Sequence, residues 1–329
     1  MSLPTLDILG IGNAIVDVLA PTDDAFLTGR NLPKGGMQLI DTNQAEALYA
    51  AMPAGVESSG GSAANTCAVA AALGAKVGFL GKVAADQLGQ VFAHDIKAAG
   101  VHFPTAPLAP GADGGAPTAR CLILVTPDGQ RTMNTFLGAC VTFGPEDVDA
   151  AEVARAKVVY LEGYLFDPPA AQAAFRAAAK AAHAAGRKVA LTLSDPFCVG
   201  RHRDAFRAFV AEECDILFAN EAEILALYET EDFELAARRV AQDVEIAALT
   251  RSEQGSVILS GGQRHVVAAQ PTTVVDTTGA GDAYAAGFLA AWTLGKPLAE
   301  AGRWGSIAAA EVISHYGARP QADLKTLVA

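Results

Sequence analysis

The stretch "DTTGAGDAYAAGF", residues 276–288, decides how this chain is read. Gly279, Ala280 and Gly281 carry almost no side chain, and helix formers follow them. Their backbone N–H groups are therefore expected at a helix start, uncovered, where the helix dipole favours an anion. The next residue is itself an acid, Asp282. A Gly-rich strand-to-helix turn with one first-turn acid explains the glycines and Asp282. It leaves Asp276, the two threonines and the apolar approach "TTVV" unexplained.

Phosphoryl transfer to an alcohol accounts for an acid placed directly beside an anion cradle. Amides of residues 279 to 281 would stabilise charge developing on the phosphoryl oxygens. The carboxylate of Asp282 would face the incoming hydroxyl and take its proton. Cradle and base must be neighbours, because nucleophile and phosphate meet at about 3 Å.

Working outward, the chain has 329 residues, 51% apolar and 18% charged, enough for a large core. Net charge is −12, from 24 basic and 36 acidic residues, which argues against a nucleic-acid-binding surface. No apolar run reaches the length of a membrane span. The N-terminus lacks a secretory pattern, and "MSL" is set aside as a cloning remnant. Five widely spaced cysteines with no C-x-x-C fit reduced, buried thiols and a cytoplasmic location.

Strands and helices alternate from about residue 145 onward, as in "AKVVYLEG", then an Ala-rich helix ending at Gly186, then "RKVALTLS". This rhythm predicts an α/β fold: a three-layer, mainly parallel sheet flanked by helices. Segments 13–41 and 101–140 break the rhythm, the second with a hairpin around "PDG". They are expected to form a small β-sheet lid over a core made of 1–12, 42–100 and 141–329.

Two other Gly-rich sites compete with the opening stretch. "GIGNAI" follows a strand, as a dinucleotide fingerprint should, but Ile15 stands at the third glycine position. "SSGGSAAN" opens a helix at Gly60 and Gly61, either as a plain cap or as backbone exposed to a substrate. No Walker loop occurs.

The sequence resembles the ribokinase (PfkB-type) carbohydrate and nucleoside kinases. "DTTGAGDAYAAGFL" (276–289) is similar to that family's C-terminal signature, and "GGSAANTCAVAAALG" (60–74) to its N-terminal one. The resemblance spans nearly the whole chain, lid included. It implies that Asp282 is the catalytic base and that Gly279, Ala280 and Gly281 form the anion hole. Asn13 and Asp17 would bind ribose hydroxyls, with Gly61 and Asn65 as further substrate contacts. Arg131, in the lid hairpin, would meet phosphate or substrate, or lie on the surface.

"NEAE" supplies Asn220 and Glu223, matching an N-x-x-E motif linked to ATP phosphates and, through water, to Mg2+; a capping box explains the same pair. Thr250 and Gly255 would line the nucleotide loop, although the family usually has Gly where Ser252 stands. Asp276 and Thr278 match positions of a K+ site in several members, to be completed by "ISHYGA". "LTLSDPF", "ILFANEAE" and "QRTMNTFLGA" resemble the adenosine kinase branch. Met37, Met133, Phe136, Leu137 and Tyr164 are candidates for a purine slot. Adenosine is the expected acceptor and ATP the donor, with ribose, fructose or a related sugar as the alternative acceptor. A dinucleotide-dependent oxidoreductase and a non-catalytic nucleoside-binding protein are the rivals from other classes. The assembly expected is a monomer or a lid-mediated homodimer.

Overall fold

The computed structural model describes residues 5–109 and 115–329; the "MSL" start lies outside the described residues. Fourteen strands form two sheets among these residues. In chain order they are β1 (Leu6–Ile11), β2 (Ile15–Pro21), β3 (Met37–Leu39), β4 (Val56–Gly60), β5 (Val77–Leu80), β6 (Val101–His102) and β7 (Ala119–Val125). Then come β8 (Arg131–Phe136), β9 (Ala156–Glu162), β10 (Lys188–Thr192), β11 (Ile216–Asn220), β12 (Ile246–Thr250), β13 (Ser256–Ser260) and β14 (Gln263–Val267).

The large sheet runs β14-β13-β12-β11-β10-β9-β1-β5-β6. From β12 to β6 every pairing is parallel, and only β13 and β14 are antiparallel. Parallel strands buried on both faces need continuous apolar runs. In β1, Ile8 packs into one core and Leu9 into the other. Helices Ser62–Ala72, Ala280–Thr293 and Leu298–Val312 cover the first face, and Pro169–Ala184, Arg203–Glu213 and Phe233–Asp243 the second. This is the expected three-layer fold.

The small sheet has the order β3-β8-β7-β2-β4. The "PDG" hairpin forms as read: Thr126 N donates to Gln130 O at 3.0 Å, and Gly129 has φ +81°. Two segments depart from the expected division. Residues 56–60 are β4, antiparallel to β2, so they belong to the small sheet rather than to the core. "VESSG" carries no alternating apolar pattern; only its backbone ladder with β2 makes it a strand. Conversely, residues 101–102 are β6, at the edge of the large sheet. The approach to Asp276, expected as an apolar strand, is irregular, and Val274 and Val275 are exposed.

Candidate active site

The carboxyl ends of the parallel strands lie at one edge of the large sheet, where open α/β sheets bind ligands. β1 ends before Asn13, β9 ends in Glu162, β11 in Asn220 and β12 in Thr250. The helices that open at Ser62 and Ala280 pack against each other and bring their N-terminal turns to this edge.

Asp282 lies in the first turn of the helix Ala280–Thr293. Ser62 Oγ donates to its Oδ1 at 2.5 Å, and the Asn65 side chain is a second hydrogen-bond partner. Burial pushes its carboxyl up to about 6; those two hydrogen bonds and the nearby Arg319 charge oppose the rise, while Asp17 adds to it. Gly279 caps the helix with φ +76°. The Ala280 amide is turned back to Thr277 O at 3.2 Å, so the expected anion cradle keeps the amides of Gly279 and Gly281 as its better-placed donors.

Asp17, on β2, lies near enough to Asp282 for the two carboxyls to repel each other. Its carboxyl also rises to about 6, mainly by burial, with Arg319 and Arg131 opposing. Gly60 is glycine because a Cβ there would stand 2.3 Å from an Asp17 oxygen. Gly61 has φ +96°, and its Cβ would sit 2.2 Å from the carbonyl oxygen of Asn13. Replacing Gly61 by alanine is expected to destabilise the fold by about 1–3 kcal/mol, read as a lower urea midpoint.

Glu162 was not anticipated from the sequence. It is 1% exposed. Its Oε1 accepts from Asn13 Nδ2 at 2.6 Å, and its Oε2 accepts from Ala63 N at 2.8 Å and Asn13 N at 3.3 Å. One carboxylate thereby ties the β1–β2 turn to the helix carrying Ser62 and Asn65. Burial raises it to about 7. An acid closing the apolar run "KVVYLEG" was the available signal.

The small sheet contributes Arg131, whose guanidinium pairs with Asp276 and reaches Thr278 Oγ1 at 3.3 Å. Asp276 also accepts from Thr278 N, Thr278 Oγ1 and Gly317 N. Its carboxyl is held below the usual range, although burial alone would raise it. Arg131, Asp276 and Thr278 thus meet at one point.

Among the purine-slot candidates, Met37 and Met133 stand opposite each other on β3 and β8. Phe136 does not join them. It pairs with Arg120 on the other face of the small sheet, where the Arg120 guanidinium lies over the Phe136 and Tyr49 rings. Leu137 leads into a 3-10 turn, and Tyr164 is exposed just beyond β9.

Asn220 and Glu223 form the reciprocal capping box of the helix Glu221–Tyr228. Burial, with Asp195 and Asp282 nearby, raises Glu223 to about 7. No cluster of three or more His, Cys, Asp or Glu side chains suited to a metal exists among the described residues. Thr250 pairs with Ser256 across the turn that contains Gly255, at φ +83°. Ser252 adopts φ +48°, a conformation that suits the glycine it replaces. The five cysteines are free and buried, and no helix among the described residues is long and apolar enough to cross a membrane.

Asp17, Asp282, Glu162 and Glu223 all hold protons more tightly than free carboxyls. The native state therefore binds protons that the unfolded chain releases. Stability from these groups is fully present below about pH 4 and is lost as pH rises through 6 to 7. Urea unfolding across pH 5 to 8 should show this decline, smaller in Asp282→Asn.

The chain is 53% identical to the adenosine kinase of Sinorhizobium meliloti, with a TM-score of 0.88 and 98% of both chains covered. A probable sugar kinase from Rhizobium etli is 50% identical, with a TM-score of 0.89, covering 99% of this chain and 98% of that one. The ATP-dependent ribose-1-phosphate kinase of Halopiger xanaduensis is 32% identical over 81% of this chain and 85% of the relative. Residues 37–325 match the pfkB family of carbohydrate kinases. The shared fold, the match over most of the chain and the paired signatures at 60–74 and 276–289 make this protein a member of the PfkB family, a phosphotransferase with an alcohol group as acceptor.

Proposed function

We propose that the protein transfers the γ-phosphoryl group of ATP to the 5′-hydroxyl of adenosine. The observation that carries the proposal is the Asp282 carboxylate, held by Ser62 and Asn65 at the start of a Gly-entered helix and lying near the Asp17 carboxyl. Asp17 and Asn13 hold the ribose hydroxyls, with the backbone at Gly61 and the Asn65 amide beside them. The 5′-hydroxyl gives its proton to Asp282 while its oxygen bonds to the γ-phosphorus and the bond to ADP breaks. The amides at Gly279 and Gly281 stabilise the charge that builds on the phosphoryl oxygens. Arg131, carried by the lid, would leave Asp276 to meet phosphate as the lid closes and excludes water. Thr250 and Gly255 border the nucleotide. Asn220 and Glu223 would hold hydrated Mg2+, which supplies charge neutralisation to the phosphates.

Similarity over 98% of both chains to an adenosine kinase favours the nucleoside. Similarity to the probable sugar kinase supports a second reading, phosphorylation of ribose, fructose or a related sugar. ADP release measured against a panel of nucleosides and sugars, with and without K+, separates the two. AMP formation from adenosine at a kcat/KM at least about 10-fold above any sugar is the expected result. Sugar turnover without AMP overturns it. The kcat/KM profile should fall on the acid side with a midpoint near pH 6, where Asp282 takes up its proton.

A further inference from the structure

Four consecutive residues, Ser59 to Ser62, hold four parts of the site. Ser59 accepts from Arg319 Nη2 through its carbonyl at 2.7 Å and its hydroxyl at 2.9 Å. Gly60 lies against the Asp17 carboxylate, Gly61 against Asn13 O, and Ser62 bonds Asp282. The C-terminal segment that carries Arg319 is itself moored to the anion loop. Gly317 N donates to Asp276 at 3.2 Å, and the Ala318 methyl fills the space beside Gly279. On the other side, Gln321 N and Ala322 N both donate to Glu311 Oε1 at 2.8 Å, so the segment is fastened at both ends of Arg319. Its Nε and Nη1 are buried with no hydrogen-bond partner among the described residues.

A buried cation with two unmet donors is costly unless negative charge surrounds it. Asp95, Asp17 and Asp282 supply that charge. The Asp282 carboxylate interacts with Asp17, Glu162, Glu223, Tyr160, Tyr164 and Arg319, and Asp17 with Arg319 and Arg131; Arg319 is the cation common to both, while Arg131 is paired with Asp276. Without it, the two carboxylates would repel each other with Arg131, already paired with Asp276, as the remaining opposing charge on Asp17.

We propose that Arg319 is a positioning residue that acts as the fixed counter-charge beside the acceptor-binding and base carboxylates, allowing Asp17 and Asp282 to be ionised together before Asp282 takes the proton of the acceptor hydroxyl. This rests on the assignment of Asp282 as base, but its test does not. Carboxyl 13C NMR of aspartate-labelled protein follows Asp17 and Asp282 directly, with D17N and D282N identifying the signals. In R319Q both midpoints should rise by about one pH unit. In R319K, which keeps the charge, they should stay at the wild-type positions. Unchanged midpoints in R319Q, or an equal rise in R319K, overturn the proposal; should R319Q fail to fold, R319K decides alone.

The kinetic counterpart uses whichever acceptor the wild type phosphorylates. R319Q should lose about 30-fold in kcat/KM at pH 6 and recover at pH 9, because a one-unit rise cuts the ionised fraction of each of the two carboxyls about five-fold, and only on the acid side. A uniform loss at every pH marks a merely structural role and overturns the proposal. Full activity in D282N would instead refute the base assignment, leaving the NMR result to judge Arg319.

Discussion

Asp282→Asn is expected to leave a protein that folds and binds the proposed acceptor, adenosine, but turns over about 10²- to 10⁴-fold more slowly, the usual worth of a positioned general base. The substitution keeps the shape of the side chain, and its amide oxygen can still accept from Ser62. What it removes is the lone pair that takes the proton. Binding measured by calorimetry should change little, because the ribose hydroxyls are held by Asp17 and Asn13 in the proposed complex. Stability should move in the opposite direction to activity. The wild-type carboxyl is raised from 3.8 to about 6 by burial, so its ionised form costs stability above that pH. Removing the charge should stabilise the protein at pH 8 by about 1–3 kcal/mol and make no difference at pH 4. A variant that is more stable and nearly inactive cannot be explained by misfolding. Turnover at the wild-type rate would refute the role proposed for Asp282.

Glu162→Ala is expected to damage fold and substrate binding together. Three donors, Asn13 N, Asn13 Nδ2 and Ala63 N, lose their acceptor in a buried site. Leaving them unmet costs about 3–5 kcal/mol, seen as a lower urea midpoint. The β1–β2 turn and the helix start at Ser62 are then no longer tied, so Asn13 and Asn65 lose their registration. KM for the acceptor should rise at least about 10-fold. Glu162→Gln is the informative companion. One oxygen can still accept from Ala63 N or from Asn13, but its amide must oppose one of those donors. Its loss should fall between wild type and alanine. An alanine variant with unchanged stability and KM would show that Glu162 does not hold these loops.

The elements legible in the sequence are those whose cause is local. Apolar strands alternating with helices made the parallel sheet readable, because period and punctuation are properties of neighbouring residues. The Gly-Ala-Gly bend and Asp282 were readable because a cradle and its carboxylate are adjacent in the chain. The capping box of Asn220 and Glu223 is equally local, three residues apart. The strand β4 was not, since "VESSG" becomes a strand only through its ladder with β2. Phe136 was misjudged as a slot residue because facing is set by the register of β7 and β8, not by composition.

The sequence by itself determined the fold class, the family and the residue proposed to take the proton, because each is written in short-range order. Only the tertiary structure decided what surrounds that residue. Ser62, Glu162 and Arg319 lie 220, 99 and 260 residues from the groups they hold, Asp282, Ala63 and Ser59. Electrostatic environment depends on distance in space, and chain closure through a large parallel sheet erases its relation to distance along the sequence.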